Sequence, residues 1–258
     1  MSILDAIVER THERVLRDKA AGLKLGQSYK SKREPFAFEK SLRSDDISFI
    51  CEVKKASPSK GIIAEVFLYQ EIAREYEAAG AAAISVLTEP EFFLGDDKYL
   101  AEISERVSIP VLRKDFTVDP FQIEQAAALG ADAVLLICAI LTDAELGEYI
   151  KVADSFGLSC LVEAHDENEI KAALRAGARV VGVNNRDLKT FEVDIYNSVR
   201  LRKIVPSDVI FVSESGISTA SDVALLRQSG VDAVLIGESL MRSSDKRAAL
   251  SKIRGESP

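Results

Sequence analysis

Short apolar runs recur along the chain, each closed by polar turn-forming residues and parted from the next by an amphipathic stretch. The stretch Phe49-Ile50-Cys51-Glu52-Val53-Lys54 predicts a strand at 48 to 54. It puts a carboxylate and an ammonium two residues apart, on one face of a period-2 backbone. Ser57, Pro58, Ser59 and Gly61 follow, so both charges sit where a strand ends and a flexible loop begins. Upstream, Ile3, Ile7, Val8, Val15, Leu16 and Leu23 lie at roughly helical spacing among charged residues, which predicts an opening amphipathic helix over 3 to 23. Residues 24 to 47, with Pro35 and Asp45-Asp46, predict a polar connection with room for one short helix.

An internal repeat organises the remainder. Ala79-Gly80-Ala81-Ala82-Ala83-Ile84, Leu129-Gly130-Ala131-Asp132-Ala133-Val134, Ala176-Gly177-Ala178-Arg179-Val180-Val181 and Ser229-Gly230-Val231-Asp232-Ala233-Val234 share one pattern: helix end, glycine, short linker, apolar strand. Successive glycines are 50, 47 and 53 residues apart, and one further strand lies in each interval: Ile109 to Arg113, Leu158 to Glu163 and Val209 to Glu214. With the opening strand these make eight. Asp119-Pro120 predicts an N-cap with proline at N1, Thr142-Asp143-Ala144-Glu145 a capping box, and Asp166-Glu167-Asn168-Glu169 a looser relative of one. Eight apolar strands joined by right-handed helical crossovers predict a (β/α)8 barrel, read as one domain over 1–258 with 1–47 as a helical extension. The alternative, an open doubly wound sheet, lacks its Gly-x-Gly-x-x-Gly signature here.

Length fits this expectation, since 258 residues is a common size for a single barrel. A formal charge of −8 and a pI near 5.1 argue against a general nucleic-acid binder, so an anionic ligand needs a local basic site. Cys51, Cys138 and Cys160 stand far apart inside apolar runs and read as buried thiols in a reducing compartment. No apolar run approaches the length of a membrane helix. A cytoplasmic monomer with no nucleic-acid or membrane partner is expected.

Barrel active sites are built from the C-terminal ends of the strands, where this sequence places Glu52, Lys54, Lys114, Glu163, Asn184 and Glu214. Any one could be a satisfied ion pair. Six at one level predict a pocket in which two lysines and three glutamates shift one another's pKa values toward neutral pH. The last two strands run into Ser213-Glu214-Ser215-Gly216-Ile217-Ser218 and Ile236-Gly237-Glu238-Ser239-Leu240-Met241. Glycines there admit an anion to backbone N–H groups, and the second run can open a short helix, which together predict a phosphate site. Glu238 fits such a site if its N–H meets the anion and its side chain points away. Phe92, Phe93 and Phe116 could sandwich an aromatic substrate. His12 and His165 show no metal-ligand spacing and read as incidental.

Five runs carry a family resemblance: Cys51-Glu52-Val53-Lys54-Lys55-Ala56-Ser57-Pro58-Ser59-Lys60-Gly61, Leu112-Arg113-Lys114-Asp115-Phe116, Leu161-Val162-Glu163-Ala164-His165, Gly182-Val183-Asn184-Asn185-Arg186-Asp187-Leu188 and Val212-Ser213-Glu214-Ser215-Gly216-Ile217. In order and spacing the chain resembles the indole-3-glycerol phosphate synthases of tryptophan biosynthesis, including the extra helix placed over the barrel mouth. The resemblance implies ring closure of 1-(2-carboxyphenylamino)-1-deoxyribulose 5-phosphate, a small phosphorylated aromatic, with loss of carbon dioxide and water and with no cofactor or metal. It implies Lys114 as the acid at the ketone, with Glu163, Lys54 and Glu52 for later proton transfers and Asn184 on the reacting hydroxyls. Arg186 with Lys54 would face the substrate carboxylate, and Phe93, Phe116 and Leu188 would line the anthranilate pocket. Glu214 and Ser215 would line the mouth, and Ser57, Gly216, Gly237 and the N–H of Glu238 would take the phosphate. A phosphoribosylanthranilate isomerase would share the last two strands but leaves Lys114, Glu163 and Asn184 unexplained. A non-catalytic sugar-phosphate barrel would not need Lys114.

Overall fold

A computed structural model describes residues 2–22, 33–187 and 190–256. Eight parallel strands close into a barrel: β1 (Ser48–Val53), β2 (Ala83–Leu87), β3 (Val111–Lys114), β4 (Ala133–Ile137), β5 (Ser159–Ala164), β6 (Val180–Asn184), β7 (Ile210–Glu214) and β8 (Ala233–Ile236). Each pairs with the next in sequence. The ring closes where Ser48 to Cys51 of β1 pair with Ala233 to Ile236 of β8. The predicted strand at 109 begins two residues late because Pro110 has no N–H to donate, although its carbonyl still accepts from Ile84 at 2.9 Å. It also runs one residue further than expected and takes in Lys114.

Helices α3 (Tyr69–Ala78), α4 (Asp97–Arg106), α5 (Pro120–Ala128), α6 (Asp143–Ser155), α7 (Glu167–Ala176), α8 (Tyr196–Leu201), α9 (Ala220–Gln228), α10 (Glu238–Arg242) and α11 (Lys246–Arg254) follow the strands. The repeat has a physical basis. Gly80, Gly130, Gly177 and Gly230 all have φ between 78° and 90°, the left-handed conformation that ends a helix and turns the chain into the next strand. Two repeats add an aspartate: Asp132 accepts the Val111 N–H and Asp232 the Phe211 N–H, at 2.8 and 2.7 Å, so each ties down the start of the preceding strand.

Apolar residues form two layers. Phe49, Cys51 and Val53 of β1 face the helices, whereas Ile50 faces the barrel interior with Leu112, Leu135, Leu161, Val212 and Leu235. The expected short helix, α2 (Ala37–Ser41), brings Phe38, with Leu42 beyond its end, into this inner cluster, where both are fully buried. They plug the N-terminal end of the barrel, and burial of each side chain contributes roughly 1.5 to 3 kcal/mol. Glu39 of α2 is fixed by Arg179 at 2.9 Å.

Helix α1 (Ile3–Ala20) closes the opposite end. Ile7, Thr11 and Val15 are its buried residues, whereas Leu16, expected in the apolar stripe, is 68% exposed. Leu23 lies outside the described residues. Arg14 reaches both oxygens of buried Asp115 at 2.8 Å, and Lys19 reaches Asp119 at 2.7 Å, so α1 is clamped beside the loop that follows β3. No helix among the described residues is long and apolar enough to cross a membrane. Cys51 and Cys160 are buried as expected, but Cys138 is only half-buried.

Candidate active site

Strand alternation decides which polar groups meet. Ile50, Leu112, Leu161 and Val212 point into the barrel, so the residues two further along, Glu52, Lys114, Glu163 and Glu214, point into its C-terminal mouth. These and Lys54, Asn184, Arg186, Ser57, Phe93, Phe116, Ser215, Gly216, Gly237 and Glu238 line one cavity of about 390 Å³. Of the described site residues that the sequence singled out, all but Phe92 are therefore brought together, and Leu188 lies outside the described residues. Ile3, Leu4 and Ile7 of α1 supply an apolar roof.

Lys114 is the hub. Its Nζ lies 3.3 Å from Glu163 Oε2 and 3.4 Å from Glu214 Oε2, while Lys54 pairs with Glu52 alongside. Asn184 Nδ2 donates to Glu163 Oε1 at 3.3 Å. Glycines make room for two of the three carboxylates, Glu214 and Glu52. A Cβ on Gly182 would strike Glu214 Oε1, and one on Gly237 would strike Glu52 Oε1.

Three buried carboxylates facing two ammonium groups cannot all be equally charged. Burial pulls the Lys114 ammonium down, but Glu214, Glu163 and Glu52 outweigh it, and the pKa ends above that of an ordinary lysine. For Lys114 the expected shift toward neutrality fails, because its neighbours are anions. Burial pushes Glu163 up, yet Lys114, His165 and Asn184 bring it below the usual range. Glu214 lacks such support: burial, with Glu163 and Glu52, raises it to about 7 against the pull of Lys114.

Glu214 thus binds more proton folded than unfolded between the ordinary glutamate value and about pH 7. Stability must fall as pH rises through that window. Glu214→Gln removes the effect, so the unfolding free energy of the variant relative to the parent is expected to gain about 1 to 3 kcal/mol between about pH 5 and 8. Urea unfolding of both proteins measures this, and parallel pH dependences would refute it.

The aromatic wall is set by a residue that the sequence reading missed. Phe93 and Phe116 lie 6.0 Å apart, tilted by 40°. Buried Glu89 accepts the N–H groups of Glu91, Phe92 and Phe93 at 2.7 to 2.9 Å and so shapes the turn that presents Phe93, whereas Phe92 is not on the cavity wall. The only signal was an acid beside Pro90 at a strand end. The loop after β1 contains a small antiparallel ribbon that pairs Ala56–Ser57 with Gly61–Ile62.

At the other end, Gly216 has φ +82° and Ser215 φ +69°. Such a conformation costs a non-glycine residue roughly 1 to 3 kcal/mol. Asn185 holds it, donating from Nδ2 to the Ser215 carbonyl at 3.1 Å and to Ser213 Oγ at 3.0 Å. After β8, α10 starts at Glu238 with no side chain capping its first turn. The Glu238 carboxylate is drawn to Arg242 at 3.2 Å and Lys60 at 3.7 Å. That agrees with a side chain directed away from an anion at the helix start.

The model of the indole-3-glycerol phosphate synthase family matches residues 4–253. The chain belongs to that family. It is 63% identical over 257 residues to the indole-3-glycerol phosphate synthase of Ruminiclostridium cellulolyticum, covering 98% of this chain and 99% of the relative. It is 55% identical over 261 residues to that of Endomicrobium trichonymphae, covering 98% and 99%. Membership identifies a carboxy-lyase of tryptophan biosynthesis acting on a small phosphorylated substrate. Among solved structures, the 3-hexulose-6-phosphate synthase of Salmonella typhimurium superimposes with a TM-score of 0.67 at 16% identity, over 81% of this chain and 97% of that one. That likeness concerns the barrel alone.

Proposed function

We propose that the mouth closes the indole ring of 1-(2-carboxyphenylamino)-1-deoxyribulose 5-phosphate with Lys114 at the reacting carbonyl. One observation carries the reading: an ammonium within 3.4 Å of two buried carboxylates, Glu163 and Glu214, in a cavity that also holds an aromatic wall and two glycine turns. The aryl carbon that bears the carboxylate attacks the ketone carbon, and the carbonyl π pair moves onto oxygen. Lys114 meets that oxygen as charge develops and supplies its proton. Carbon dioxide departs, leaving its bonding pair to restore the aromatic ring. The new hydroxyl then leaves as water on taking a proton, while a base removes a proton from the carbon next to nitrogen. Glu163, Lys54 and Glu52 are the groups available for this exchange, and Asn184 holds the reacting hydroxyls.

Arg186 with Lys54 faces the substrate carboxylate. Arg186 is positioned for this by its N–H, which donates to Asn184 Oδ1 at 3.0 Å. Phe93 and Phe116, with Leu188, take the anthranilate ring. Ser57, Gly216, Gly237 and the N–H of Glu238 take the phosphate, where an uncapped helix start favours an anion. Glu214 and Ser215 complete the mouth. The purified protein given this substrate is expected to develop indole fluorescence with one carbon dioxide released per turnover. Absence of fluorescence, with the substrate shown to bind, would reject the proposal.

A further inference from the structure

Four buried polar atoms have no hydrogen-bond partner among the described residues, and Glu214 Oε1 and His165 Nε2 are two of them. His165 lies two residues beyond Glu163, just past the end of β5, so the strand period returns it toward the Glu163 side. Its placement follows from how α7 begins. Asp166 caps that helix by accepting the N–H groups of Asn168 and Glu169 at 2.8 and 2.9 Å. In a capping box the Glu169 carboxylate would return to the N-cap, but here it reaches one residue further. Glu169 Oε2 accepts the His165 backbone N–H at 2.7 Å and lies 3.2 Å from His165 Nδ1. Asn197 Nδ2 holds the His165 carbonyl at 3.1 Å. The ring is thereby fixed with Nε2 turned toward Glu163 Oε1 at 3.7 Å.

We propose that His165 is a positioning residue for the ring closure, its imidazolium holding and charge-balancing the Glu163 carboxylate that Lys114 and Asn184 share. The inference rests on the reading that Glu163 serves the reacting centre. Three carboxylates face the imidazole: Glu163 from β5, Glu169 from α7 and Glu214 from β7, with Lys114 beyond Glu163. Burial pulls the imidazole pKa down, but the Glu169 hydrogen bond and the charges of Glu163, Glu169 and Glu214 outweigh it and raise it. In turn His165 helps to lower Glu163. Without the cation, Glu163 would take up a proton at higher pH.

Steady-state indole formation is measured with the intact protein from about pH 5 to 9 for His165→Ala, His165→Gln and Glu163→Gln, beside unfolding curves. His165→Ala is expected to lower kcat roughly 5- to 50-fold with KM nearly unchanged, since two contacting groups are uncoupled. The acid limb of its kcat profile should move upward by about half to one pH unit. His165→Gln places an amide N–H near the Nε2 position but carries no charge, so it should recover most of kcat yet keep the displaced limb. His165→Ala added to Glu163→Gln should cost little beyond Glu163→Gln alone. An unmoved acid limb, a deficit confined to KM or matched by lost stability, or full additivity in the double variant would overturn the assignment. If Glu163→Gln keeps parental rates, the reading of Glu163 falls and takes this inference with it. If Glu163→Gln is impaired while the His165 variants behave as the parent, only this inference falls.

Discussion

Lys114→Ala is expected to lower kcat for indole formation by roughly 10² to 10⁴ with little change in KM. The ammonium meets the ketone oxygen most strongly when that oxygen carries charge, so its loss falls on the transition state rather than on binding. The site sharpens this expectation. Because Glu163 and Glu214 at 3.3 and 3.4 Å keep Lys114 charged, its ammonium is already in place when charge develops on the ketone oxygen. Lys114→Arg keeps a charge but yields its proton less readily, and its planar fork must fit between carboxylates spaced for a point charge, so it should stay impaired. Rates of indole formation for both variants, beside a direct titration with product, measure the split. Near-parental kcat in either variant, or a loss confined to KM, would move the acid to Lys54 or Glu163.

Gly237→Val should lower kcat/KM by more than roughly 10², through both kcat and KM. Read from sequence, Gly237 is a phosphate-turn glycine whose substitution should raise KM. The structure gives it a second constraint. Its φ of −122° lies outside the left-handed region that favours glycine, and the second constraint is one of space. A Cβ there would collide with Glu52 Oε1 and approach Lys54 Nζ to 3.1 Å. One methyl-bearing carbon thus displaces the Glu52–Lys54 pair and the turn that begins α10 together. Steady-state kinetics and product titration separate the effects. A variant with parental kcat and only a raised KM would show that Glu52 and Lys54 stand outside the chemistry.

The barrel was legible because its signals are local and repeated. The four C′ glycines mark every second strand, and Glu52 and Lys54 share a face by the period of a strand alone. Glu163 and Glu214 could be placed at the mouth in the same way. What each does to its neighbours could not, since their opposite pKa directions depend on which carboxylate also receives Asn184 and His165. His165 was taken as incidental because it has no ligand spacing in the sequence. Its partner is Glu169, and a shifted cap produces that contact. Asn185 was hidden beside Asn184, since adjacent residues on a strand face opposite sides and only Asn184 looks into the cavity. Arg14 on Asp115 joins residues 101 apart, a pairing that no local pattern announces.

The plug formed by Phe38 and Leu42 also sets an order of events during synthesis. These residues leave the ribosome before any strand of the barrel that buries them, and β8 follows Leu42 by about 190 residues. At the usual pace of translation this is a delay of about 10 to 40 seconds. Throughout it, the nascent chain carries an apolar segment whose final partners, such as Val212 and Leu235, have yet to be made.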